Sequence, residues 1–251
     1  MSRPAPALRS TAALTALELR LTARRGENVL VTLVIPVAVL LFFAGTGFVA
    51  GIEGRPVDDL LPGSIALAIL ASGLVSLGIA TAYERHYGVL KRLGGAPIPR
   101  WSLVAAKVGA VLVLESVQVV ILVAVAVLGL GWAPGPSWSP LLLGVAIVLG
   151  TVTFAGLGLL LAGTLRAEAT LALANALFLA LLMLGGSVLP VSELPGWLQP
   201  LALALPATAL ADLLRGALDT GSVIDVPRSG VILAAWAVAA AAFATRWFRW
   251  D

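Results

Sequence analysis

Apolar and polar residues are segregated along this chain into six long apolar stretches, 29–50, 64–82, 103–130, 141–164, 171–189 and 230–248, with short polar segments between them. A helix needs about 20 predominantly apolar residues to cross about 30 Å of hydrocarbon, and each stretch has that length or close to it. They are rich in Leu, Ala, Val and Gly and lack the alternation of a barrel wall, so the pattern predicts helices and not strands. The expected fold is all-α: a polytopic membrane protein with six transmembrane helices forming a single domain over 29–251, preceded by an arm at 1–28. Within that arm Leu14, Leu17 and Leu21 share one face while Arg9, Ala13, Ala16, Arg20 and Arg24 line another, which predicts an amphipathic interfacial helix.

Composition agrees with this pattern. Apolar residues make up 60% of the chain and charged ones only 12%, which excludes a soluble globular domain. The 16 basic residues sort by side: thirteen fall in the N-terminal arm, the 83–101 loop and its flank, the fourth loop and the tail, against three (Arg55, Arg215, Arg228) on the other side. By the positive-inside rule both termini are cytoplasmic. The formal charge of +3 comes from residues bordering helix ends, where they meet anionic lipid headgroups, so no nucleic-acid partner is indicated. Cysteine is absent, which removes disulfides and thiolate metal sites. The first 28 residues hold no apolar core of signal-peptide length, so the first span reads as a retained signal anchor. Fourteen Arg against two Lys points to a GC-rich bacterial genome, and hence to a bacterial inner membrane.

Several features punctuate the spans. Pro36 predicts a kink in the first. Gly47 and Gly51 form a small-xxx-small pair leading into a short acidic outer loop, 51–63. The outer segment 190–228 contains apolar runs too short to cross and cut by Pro195, Pro200 and Pro206, so one or two re-entrant or interfacial helices are expected there. The tail alternates aromatic and basic residues from Arg246 to Trp250, an interfacial anchor.

The segment from Tyr83 reads YERHYGVLKRLGGAPIPRW. Tyr83, Tyr87 and Leu90 recur at helical spacing, and Gly94-Gly95 with Pro97 and Pro99 ends the helix. A short amphipathic helix projecting into the cytoplasm between two spans is the expectation. This segment resembles the first cytoplasmic loop of the permease subunits of type-2 ABC exporters, E-R-E-x-G-T-L-K-R-L-x-x-x-P, at Glu84, Arg85, Gly88, Leu90, Lys91, Arg92, Leu93 and Pro97. It departs from that pattern at His86, Tyr87 and Val89. A second likeness is the P-x-x-x-L-P-x-W pattern at Pro190, Leu194, Pro195 and Trp197.

The resemblance implies a transport subunit that works with a second permease, identical or related, and two ATP-binding subunits. Glu84, Arg85, Tyr87, Gly88, Leu90, Lys91, Arg92 and Leu93 would form the coupling helix that touches those subunits. This chain has no G-x-x-x-x-G-K-[ST] phosphate loop, so ATP and Mg would be held by the partner and no cofactor by this chain. Loss of transport in Leu90→Asp is the corresponding expectation.

Inside the apolar stretches Glu115 is the one acid near the middle of a span. Gln118 follows three residues later and Asn175 sits in the fifth. A charge at such a depth costs at least about 2.5 to 3.5 kcal/mol, so Glu115 should face the bundle, be neutral or find a partner. The three are candidates for a substrate path, with a buried structural hydrogen bond as the other reading of Glu115 and Gln118; interhelical hydrogen bonding is the default for Asn175, Thr151, Thr153 and Ser187. With one His and no Cys, neither a metal centre nor an enzyme's acid/base set is expected. The alternative is a stand-alone carrier that moves protons through Glu115. A mostly apolar bundle favours a lipophilic or amphipathic cargo, an antibiotic, another drug-like compound or a lipid.

Overall fold

The computed structural model describes residues 7–24, 26–46, 56–94, 100–186, 191–220 and 224–248, with side chains described throughout except at 7, 26–31, 46, 93–94 and 100. The Gly47/Gly51 pair, Gly95 to Pro99, Ser187 and Pro190 lie outside these residues, as does the side chain of Leu93.

Helix α1 (Ala7–Arg24) is followed by α2 (Gly26–Thr46), with Pro36 inside it. The next rod is continuous from Pro56 to His86: α3 (Pro56–Leu70), a π-helical stretch (Ala71–Leu77) and α4 (Gly78–His86). A short α5 (Val89–Gly94) precedes α6 (Arg100–Leu130), α7 (Pro140–Thr164) and α8 (Ala167–Leu184). After a 3-10 turn at Val191–Glu193 come α9 (Gln199–Ala204), α10 (Pro206–Leu218) and α11 (Val226–Trp247). Among the described residues no strand occurs.

Among the described residues five helical segments are long and apolar enough to cross a membrane: the Pro56–His86 rod, α6, α7, α8 and α11. The described apolar part of α2, Thr32–Gly45, is shorter. Two boundaries differ from the sequence pattern. The second rod begins at Pro56, so the latter half of the expected outer loop at 51–63 is helix. Pro56 takes the first helical position, where its missing N–H costs nothing, and Asp58 and Asp59 lie in the first turn, where carboxylates favour the positive helix end. The fifth helix ends at Leu184 because the chain turns at Gly185-Gly186, with Gly186 at φ +69°.

Helix α7 is the hub, packing against α11, α10, α6 and the π stretch. Close approach explains its glycines. A Cβ at Gly158 would lie 2.5 Å from the Gly73 carbonyl oxygen, and one at Gly156 would lie 2.9 Å from Ala240 Cβ. The main core gathers Leu61, Ile65, Ile69, Leu122, Phe154 and Leu210. A second core, nearer α5, gathers Leu77, Leu90, Leu103, Leu159 and Phe248. Helix α10 is buried along most of its length against α3, α7 and α11, at the end of the bundle opposite α5.

Candidate functional site

Helix α4 ends where the Tyr87 amide bonds the Tyr83 carbonyl at 2.9 Å. The chain then reverses at Gly88, whose φ of +72° suits glycine. The continuous helix expected from Tyr83 onward is therefore two helices with a corner at Gly88. That corner sorts the motif residues into two groups.

One group fastens the loop to the bundle. Leu90 is 0% exposed and fills the second core, so Leu90→Asp would disrupt packing before it disturbed any docking surface. Arg85 turns away from the loop and donates to the carbonyls of Ala162 at 2.7 Å and Leu165 at 2.5 Å. These are free carbonyls at the end of α7, where a cation also meets the negative helix pole. Glu84 accepts from Lys107 Nζ at 2.7 Å. The other group faces outward: His86, Tyr87, Val89, Lys91 and Arg92, with Tyr87 70% exposed.

Lys107 itself is 2% exposed and is held by Glu84 and, at 2.9 Å, by Glu18 of α1. One ammonium thus ties together the N-terminal helix, the stem of the loop and α6. A second tie between α1 and α6 lies about a turn and a half away, where the Thr11 and Ser102 hydroxyls are 2.6 Å apart. Sequence reasoning placed Lys107 at a helix border and did not pair it. Its signal was a lone cation inside an apolar helix, a group that must find carboxylates to be tolerated.

Two cavities flank this cluster. A small one of about 120 Å³ lies between α1, α2, the π stretch and α6, and runs from Glu18, Glu84 and Lys107 to Ser72 and Gln118. A larger groove of about 760 Å³ lies between α2, the π stretch with α4, and α8. Its lining includes Pro36, Val75, Ile79, Glu84, Asn175 and Phe178. The π stretch borders both, which gives its widened turn a place next to the candidate path.

The three intramembrane candidates part company. Gln118 accepts from the Ser72 hydroxyl and donates to the Thr32 carbonyl, both at 3.3 Å, and lines the small cavity. Asn175 is exposed on α8, donates to Leu171 O at 2.8 Å and lines the groove. Glu115 is enclosed, with one carboxyl oxygen hydrogen-bonded to the Thr151 hydroxyl and the other without a partner among the described residues. It lines neither of the two cavities.

A family model described as ABC-2 type transporter matches residues 9–218. The chain is 28% identical over 185 residues to the ycf38 transport permease of Pyropia yezoensis, spanning 71% of this chain and 63% of that one. It is 27% identical over 198 residues to the ycf38 transport permease of Porphyra purpurea, with 76% and 68% covered. To the YvfS transport permease of Bacillus subtilis strain 168 it is 23% identical over 210 residues, with 81% and 84% covered. The match thus spans just under two thirds of the first of these relatives.

Proposed function

This chain belongs to the ABC-2 type transporter family, and from that premise we propose that it is the permease subunit of an ABC exporter, driven by two copies of a separate ATP-binding subunit that carry the ATP and Mg. That membership supports reading it as a membrane permease and a transport subunit. The finer reading is that α2, the Pro56–His86 rod, α6, α7, α8 and α11 are six spans, with both termini in the cytoplasm of a bacterium and α9–α10 re-entrant from the outside. A second permease, identical or related, pairs with this one in the inner membrane.

The observation that carries this reading is the construction of α5. It is a stub at the end of a continuous rod, pinned by Leu90, Arg85 and Glu84, and it shows Tyr87, Val89, Lys91 and Arg92 to its surroundings. A helix that transmits force must be rigid toward the bundle and available to the motor, and α5 meets both conditions. Its exposed residues are the docking face and its buried ones the bolts. The groove beside the rod is the cargo path for a lipophilic or amphipathic molecule, since 760 Å³ lies within the ~300–1,000 Å³ range of sites for drug-sized ligands.

The test is co-purification with the ATP-binding subunit. The paired substitutions Tyr87→Asp and Lys91→Glu, both on the open face, should abolish it while leaving membrane insertion and thermal unfolding unchanged. Undiminished association would overturn the docking assignment.

A further inference from the structure

The groove beside α4 is selective in charge as well as size. Its body is apolar at Leu67, Val75, Ile79 and Phe178, and among the described residues no Lys or Arg lines it. The nearby cations are engaged elsewhere: Arg85 on the α7 carbonyls, and Lys107 buried between two carboxylates. Lys91 and Arg92 are exposed on α5, off the groove wall.

Among the described polar groups at the wall the one charge is the Glu84 carboxylate; Thr32, Ser76 and Asn175 are neutral, and Tyr83 and Tyr87 offer ring faces and hydroxyls. Glu84 spends one oxygen on Lys107, and no other hydrogen bond reaches it among the described residues. Two carboxylates around one ammonium leave the cluster with one negative charge in excess. Asn175 commits one amide N–H to Leu171 O, which leaves its carbonyl oxygen and its second N–H for the groove. Tyr83 and Tyr87 stack at the same mouth, with centroids 6.2 Å apart and planes 28° from parallel. The carboxylate and the ring faces favour a cation over an anion, and the neutral groups do not discriminate between them.

We propose that the groove takes amphipathic monocations, with the charged head at Glu84 beside the two tyrosines and the apolar body lying toward Leu67. Seventeen residues separate Leu67 from Glu84, about 25 Å of helix, so head and body have distinct places. This rests on the reading of the groove as the cargo path, and it adds the charge class of the cargo.

The experiment uses the full chain in a non-ionic maltoside detergent, without the ATP-binding subunit. The probes are tetraphenylphosphonium and tetraphenylborate, which share a shape and differ in the sign of charge, with binding corrected for protein-free micelles. The phosphonium should bind at least about tenfold more tightly than the borate. Glu84→Gln should weaken phosphonium binding about tenfold. Glu18→Gln, which removes the same unit of charge on the side away from the groove, should weaken it by less than Glu84→Gln does. Equal or tighter borate binding, no loss in Glu84→Gln, or an equal loss in Glu18→Gln each overturns the proposal. Should Glu84→Gln fail to fold, the phosphonium-to-borate ratio of the unaltered chain decides. A phosphonium preference in a chain that never associates with an ATP-binding subunit would sink the exporter reading and leave the charge selectivity intact; association without the preference does the reverse.

Discussion

The two ends of the bundle are closed in different ways. At the α5 end, long charged side chains bridge elements far apart in sequence: Lys107 to Glu18 and Glu84, and Arg85 to the end of α7. They enclose open space, since both cavities run up to Glu84. At the other end α10 is packed as an apolar plug, with Leu210, Leu213 and Leu214 buried in the main core. Its one described ion pair lies within the helix. Arg215 is 3.5 Å from Asp212, one turn before it on the same helix, and donates to the Gly186 carbonyl.

The difference concerns movement. An apolar plug holds by area and shape, with no one contact in command. An ionic bridge between three separate elements holds them in one arrangement and can release them as a unit, which suits the end where a motor would act.

The sharpest way to break this contrast is Lys107→Met. It leaves two facing carboxylates largely out of water and should destabilise the protein by about 3–5 kcal/mol, read as thermal unfolding in detergent. Adding Glu18→Gln and Glu84→Gln to that variant should restore most of the loss, because a cluster with no charge needs no partner. A loss that the triple variant does not restore would mean that the ammonium's own hydrogen bonds, and not charge balance, hold the three elements together.

A smaller effect is expected at the other end. Burial raises the Asp212 carboxyl above its ordinary value, and this outweighs the opposing pull of Arg215 and the Ser229 hydrogen bond. A carboxyl with a raised folded-state value adds stability below the ordinary carboxylate range and loses it as pH rises through the raised value. Asp212→Asn should therefore flatten the change of melting temperature with pH across that window, with only a slight change in the melting temperature at acid pH. An unaltered profile would show that the Asp212 carboxyl keeps its ordinary value.

The apolar runs, the amphipathic α1, the short helices near 190–228 and the helix at 89–94 were legible in the sequence because each rests on local periodicity. What was not legible depends on distance along the chain. Lys107 meets Glu84 across 23 positions, and Glu18 lies further still. No spacing rule joins them. The motif residues Glu84, Arg85 and Leu90 resemble a docking surface as a string, and only their packing separates bolts from face. Glu115 and Gln118 share a helix and one face by arithmetic, yet they point to different neighbours, α7 and α2, because α6 is enclosed on both flanks. The π stretch is a backbone event set by the Gly73 and Gly78 contacts with α7, and no residue pattern announces it.

The central claim is that α5 is a rigid handle gripped by a separate ATP-binding subunit. Because the chain has no cysteine, single cysteines at Val89 and at Val120, within α6, give a clean comparison. Both positions are exposed. Crosslinking to an ATP-binding subunit in membranes should occur from Val89 and not from Val120, and it should stop transport. Transport that continues with Val89 crosslinked to nothing but lipid would contradict the account.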